Sequence, residues 1–249
     1  MPRVCSGLWV EESRMTEAVK RTRPEPAPKA PGVGTRQRIL DTAELLFARD
    51  GPSAVTLRSI ASAADVNVAG VNYYFGSKEK LFEEMFLRRI VPLNEARLGG
   101  LAECAAIAQG RPSVQAIVTA YVLPALQLTD SASASARAII VQYSLGWILA
   151  KPEVNRMLLR YYDRVRKEFV AALRHAAPQM SEQDVVWRYY WMGGSVMVSL
   201  AVPPGMVELA EHADVQPGYK SIASELIAFL VQGFCTADVR SEPACIRPD

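Results

Sequence analysis

From position 35 the chain carries apolar residues at the spacing of one helix face. Ile39, Ala43, Leu46 and Phe47 form the first such stripe. Thr35 is suited to cap its start and Gly51, in the run Asp50-Gly51-Pro52, to end it. A second short helix is predicted after Thr56, with Leu57, Ile60, Ala61 and Ala64 at i, i+3, i+4 and i+7. Asp65-Val66-Asn67-Val68 reads as a tight turn, with Asn67 capping a third helix that holds Val71 and Phe75 on one face. Three short helices with a short turn between the last two form a helix-turn-helix arrangement. Beyond Ser77, a cap for a fourth helix, the pattern predicts long helices over about 113–128, 133–150, 153–176, 182–202 and 218–236. Pro92 is expected to kink the fourth helix, because proline lacks the N–H of an internal hydrogen bond and crowds the preceding turn. No alternating strand pattern occurs, so the expected fold class is all-α. The chain divides into an arm over 1–33, a three-helix unit over 34–82, a larger helical domain over 83–237 and a tail over 238–249.

The third helix has an outer face as well as an inner one. With Val71 and Phe75 turned inward, Val68, Ala69, Asn72 and Tyr73 share the opposite side. Small residues there let a helix enter a DNA major groove about 12 Å wide, and an Asn side chain pairs bidentately with an adenine edge. Around this face stand groups suited to phosphate oxygens: Thr56 and Asn67 at helix N-termini, Tyr74 and Lys78 just beyond, and Arg36, Arg38 and Arg58 nearby. A lone Asn or Tyr on a short helix is ordinarily solvated surface; the surrounding pattern carries the functional reading.

That pattern resembles the TetR family of bacterial one-component regulators. Phe47-Ala48-Arg49-Asp50-Gly51 matches the family's end of the first helix, and Thr56-Leu57-Arg58-Ser59-Ile60-Ala61 its second helix. Tyr74-Phe75-Gly76-Ser77-Lys78-Glu79-Lys80-Leu81 matches its Tyr-Phe-x-Ser-Lys-Glu-x-Leu signature. Three positions depart from it: Asp65 for a common Gly, Gly70 for a better helix former, and Asn72 for a frequent Tyr. The resemblance implies a homodimeric DNA-binding regulator, usually a repressor, whose helix-turn-helix binds a palindromic operator in double-stranded DNA. It also implies a C-terminal helical domain that dimerises through its last two helices and binds a small-molecule effector. The segment around Val71-Asn72-Tyr73, with Arg89-Ile90-Val91-Pro92-Leu93-Asn94, is similar to the branch that responds to fatty acids, which implies a fatty-acid or acyl-type effector.

Aromatic residues accumulate in the middle helices, and Tyr121, Tyr143, Trp147, Tyr162 and Trp187 are candidate linings of an effector pocket, with Gln142 or Arg137 to orient the ligand. Plain core is the alternative for each. Ile222, Leu226, Phe229, Leu230 and Gly233 in the last helix, and Val185, Tyr189, Val196 and Leu200 in the one before, are candidates for the dimer face. Gly193-Gly194 costs roughly 1 kcal/mol per glycine against alanine in a helix, which suggests close helix approach at that seam.

Composition narrows the remaining classes. The net charge of +2 excludes a generally basic nucleic-acid coat, so DNA contact must come from a local cluster. Segment 1–33 is rich in Pro and charge and lacks a period, as a disordered arm does, and Met15 is an alternative start. Its acidic residues do not suit a signal peptide, and the apolar runs 138–150 and 191–204 are shorter than the roughly 20 residues of a membrane span, so a cytoplasmic protein without membrane contact is expected. Cys5, Cys104, Cys235 and Cys245 lie far apart and read as reduced thiols, with a Cys235–Cys245 redox pair as the lesser reading; no metal or cofactor is expected. The motifs of hydrolases, metalloproteases and nucleotide-binding enzymes are missing, and His175 and His212 lack a nucleophile or carboxylate at motif spacing, so no catalysis is expected. The rival to a DNA-binding regulator is a helical lipid-binding or protein-interaction module without DNA binding.

Overall fold

The computed structural model describes residues 33–131, 152–201 and 219–235, and all the regular structure among them is helical. Helix α1 (Val33–Ala54) starts two residues ahead of Thr35. Gly51 interrupts it with φ 78° and ψ 162°, outside helical geometry, and one further turn follows. Ile39, Ala43 and Phe47 are fully buried, as their spacing requires.

Helix α2 (Leu57–Ala63) opens with a capping box: the Thr56 hydroxyl accepts from the Ser59 N–H, and the Ser59 hydroxyl accepts from the Thr56 N–H. It closes in a Schellman turn, Val66 N–H donating to the Ala61 carbonyl and Asp65 N–H to the Ser62 carbonyl. Asp65 takes the left-handed position that this turn needs, at φ 51°. Asn67 then caps helix α3 (Val68–Phe75) by accepting from the Gly70 N–H at 2.6 Å. Gly70 belongs to that cap: a Cβ there would stand 3.0 Å from the Asn67 side-chain oxygen.

Helix α4 (Lys78–Ile107) crosses the boundary expected at 82–83, so the short helices and the larger helical region share one 30-residue element. The helix is not broken at Pro92, which lies exposed, where water can take the carbonyl that lost its N–H partner. Four further helices are described: α5 (Val114–Ser131), α6 (Pro152–Ala176), α7 (Glu182–Ala201) and α8 (Tyr219–Cys235). Helix α5 packs against α4 and α8, α6 against α4, α5 and α7, and α7 against α5 and α8. The helix expected over 133–150 lies outside the described residues, with Arg137, Gln142, Tyr143 and Trp147. No described helix is long and apolar enough to cross a membrane.

A set of acid–base pairs ties α1 to α4. Arg36 pairs with Glu84, Arg88 with Asp41 at 2.6 Å, and Arg89 with Glu44, whose side chain is only 4% exposed. The Phe47 and Phe82 rings pack 4.9 Å apart in the same joint. The three-helix unit therefore has both apolar and charged contacts to the long helix that leads into the core.

Candidate nucleic-acid interface

Helix α3 has one buried and one open face. Val71 is fully buried and Phe75 is 3% exposed, while Asn72 and Ala69 are exposed and Tyr73 is 75% exposed. Val68 is half-buried and packs against the core, so it belongs less to the open face than Ala69 does. Tyr73 and Tyr74 meet edge to face with ring centroids 5.3 Å apart. The open surface thus presents an amide and a phenol on a helix 8 residues long, held from behind by two apolar anchors.

The charged groups divide into two sets. Arg36 is held by Glu84 and lies over the Phe75 ring, 5.2 Å from its centroid. Arg38 donates to the Ala64 carbonyl at 3.0 Å and so seals the end of α2. Both of these arginines, expected to supply charge near the phosphates, make contacts within the fold of the unit. Arg58 and Lys78 make no hydrogen bond or ion pair with the described residues; Arg58 is exposed and Lys78 half-buried. Thr56 spends its hydroxyl on its own capping box, and Asn67 its oxygen on Gly70, which leaves the Asn67 NH₂ as a donor. At the start of α4, hydrogen bonds from the Glu79 backbone N–H and the Ser77 hydroxyl hold the Glu79 carboxyl below the usual carboxylate range.

The larger region holds a polar cluster inside apolar packing. Arg97, 1% exposed, donates from Nε to the Tyr121 carbonyl at 2.9 Å, and its guanidinium lies 3.9 Å from the Tyr121 ring centroid. The Tyr121 ring meets Phe169 at 5.2 Å and Tyr189 at 5.5 Å, both edge to face. Burial, together with the neighbouring Tyr121, pushes the Tyr189 phenol far above its usual range, so its hydroxyl stays a donor. Tyr162 packs on Phe86 at the edge of this cluster. Of the expected pocket residues, Tyr121 and Tyr162 are brought together here. Arg97, Asn94 and Tyr189 were missed as site residues, although the signal was present: Asn94 and Arg97 fall in register with Ile90, Leu93 and Leu101, polar groups on an apolar stripe. Separately, an open groove of about 370 Å³ runs between α4 and α6, past Leu98, Leu101, Arg164, Glu168 and His175, and contains none of the expected pocket residues.

Comparisons with known proteins converge on one family. The pattern described as "Bacterial regulatory proteins, tetR family" matches residues 39–85, and the pattern described as "Tetracyclin repressor-like, C-terminal domain" matches 119–233. The chain belongs to the TetR family. "Probable HTH-type transcriptional regulator YttP" of Bacillus subtilis (strain 168) is 43% identical over 53 residues, 21% of this chain and 26% of that protein. That match thus spans about a quarter of the relative's length. "HTH-type transcriptional regulator BetI" of Rhizobium meliloti (strain 1021) is 29% identical over 143 residues, 57% of this chain and 66% of that protein. Among solved structures, Salmonella enterica GusR superposes with a TM-score of 0.56 at 22% identity, covering 84% of this chain and 98% of its own, a likeness of fold.

On a TetR-family chain the outer faces of α7 and α8 become informative, and they correct two expectations. Val185, Val196 and Leu200 are buried and Tyr189 packs on the core, so they face the chain's own interior. The open side of α7 carries Val186, Trp187, Tyr190, Trp191 and Val198, each about half-exposed or more. Trp187, 49% exposed, stacks on Trp191 at 6.0 Å on this outer face, away from the inward stripe of Val185, Met192 and Val196, because α7 carries large apolar side chains on both sides. The two glycines separate likewise: a Cβ on Gly193 would meet the Tyr121 hydroxyl at 3.4 Å, whereas Gly194 opens outward. On α8 Leu230 is buried and Phe229 is 68% exposed.

Proposed function

We propose that the chain is a dimeric transcription regulator that reads a palindromic operator with α3 and leaves it when an apolar or amphipathic effector binds the core between α4 and α7. The observation that carries this reading is the orientation of α3: Asn72 and Tyr73 exposed, Val71 and Phe75 buried behind them. Asn72 suits an adenine edge, and Ala69 allows close approach of the helix backbone. Arg58, Lys78, Tyr74 and the Asn67 amide flank the helix as phosphate contacts that set register. The regulator names of YttP and BetI support the same role for this chain.

Dimerisation is supported by the exposed aromatic side of α7 together with Phe229 on α8, a run of large apolar side chains that a second copy would cover. A two-fold pairing would set two α3 helices about one DNA turn, ~34 Å, apart. The effector reading rests on the Tyr121–Tyr162–Tyr189 cluster, which suits a largely apolar molecule; a fatty-acid or acyl-type compound is the class we favour. A shift of α4 on effector binding would carry the three-helix unit with it through Arg36–Glu84, Arg88–Asp41 and Arg89–Glu44. Repression in the cytoplasm is the proposed mode.

Selection of binding sites from a random duplex pool tests this reading. The expected outcome is enrichment of a two-fold symmetric sequence with half-sites one helical turn apart. No enrichment at low salt, with binding to lipid or protein retained, would identify a helical module without DNA binding.

A further inference from the structure

We propose that the effector carries an anionic head group, a carboxylate, and that Arg97 is its docking point. This builds on the reading that the core between α4 and α7 holds the effector. Arg97 is 1% exposed, yet no carboxylate among the described residues pairs with it, and its Nη2 is buried without a hydrogen-bond partner. Its Nε is fixed by the Tyr121 carbonyl, and its plane is fixed by the Tyr121 ring. One edge of the guanidinium is thus held while the other has nothing to donate to. A buried charge without a counter-ion is strongly unfavourable, and folded proteins rarely keep one unless something completes it.

The neighbouring groups fit the same ligand. Tyr121, Phe169 and Tyr162 supply apolar surface for the rest of the molecule. A carboxylate accepts two N–H bonds from a guanidinium side by side, whereas an amide or alcohol offers a single neutral acceptor. The free edge of Arg97 therefore selects for charge as well as for shape.

The test uses the full-length protein without DNA. Dodecanoate and 4-phenylbutanoate are each titrated against their primary amides, by calorimetry and by thermal shift. At least one carboxylate is expected to bind and raise Tm, with its amide at least tenfold weaker, and Arg97→Gln is expected to erase that preference. Charge-assisted hydrogen bonds support a tenfold or greater difference. Should Arg97→Gln fail to fold, the acid-to-amide comparison on the wild-type protein decides alone. Equal binding of acid and amide, binding of the amides only, or no binding by any probe overturns the anionic head group. Binding of the amides would leave the effector-binding reading standing. Arg97-dependent binding of a carboxylate that leaves operator affinity unchanged would confirm the site and contradict release from DNA instead.

Discussion

Gly76 ends α3 with φ 73° and ψ −47°, and the Ser77 N–H reaches back to the Phe75 carbonyl at 2.8 Å. This tight positive-φ turn allows α4 to begin with only two residues between it and the end of the recognition helix. Gly76→Ala is expected to destabilise the protein by about 1–3 kcal/mol, read as a lower midpoint in urea, because an alanine must enter the same backbone region under strain. Gly99→Ala provides the contrast: Gly99 lies in the middle of α4 with open space around its would-be Cβ, and a gain of roughly 0.5–1 kcal/mol is expected. Similar local logic made Asp65 and Gly70 stand out in the sequence, and their reasons, a left-handed turn and room for the Asn67 cap, lie within three residues. The role of Arg36 was not legible. Arg36 is held by a glutamate 48 positions away, and nothing local distinguishes an arginine spent on packing from one left for a phosphate.

At the scale of elements, the joint between α1 and α4 determines whether the core can move the DNA-binding unit. Glu44 is buried between Arg88 and Arg89, so Glu44→Gln would leave two arginines short of their counter-charge. A loss of about 3 kcal/mol is expected in urea unfolding, the low end for removing one partner of a buried pair, because both arginines keep some contact with solvent. The paired change Glu44→Leu with Arg89→Met should recover much of it. An unchanged midpoint in Glu44→Gln would mean that the pairs do not hold the joint. Helix positions in this region were largely legible, since predicted spans of 153–176, 182–202 and 218–236 became 152–176, 182–201 and 219–235. The inward side of α7 was not. With Val185, Met192 and Val196 on one side and Val186, Trp187, Trp191 and Val198 on the other, periodicity gives no direction, and only packing against α5 and α8 selects one.

The whole molecule couples two demands on one long helix. Helix α4 begins at the C-terminal end of the recognition helix, carries the charged joint to α1 in its first turns, and buries Asn94 and Arg97 further on. An effector that engages Arg97 would therefore act on the element that positions α3, and differential binding of 1–3 kcal/mol, typical of allosteric coupling, would suffice to release the operator. The near-neutral charge of +2 makes the interface local, so specificity should depend on a few side chains on the open face of α3. The most direct measurement is operator affinity of Asn72→Ala against wild type, by fluorescence anisotropy on the selected duplex across a range of salt. A loss of roughly 1–3 kcal/mol in base discrimination is predicted, about tenfold or more in Kd, with the salt slope and the thermal midpoint unchanged, because Asn72 is exposed and touches no phosphate in this account. Wild-type affinity and wild-type sequence preference in Asn72→Ala would contradict the account.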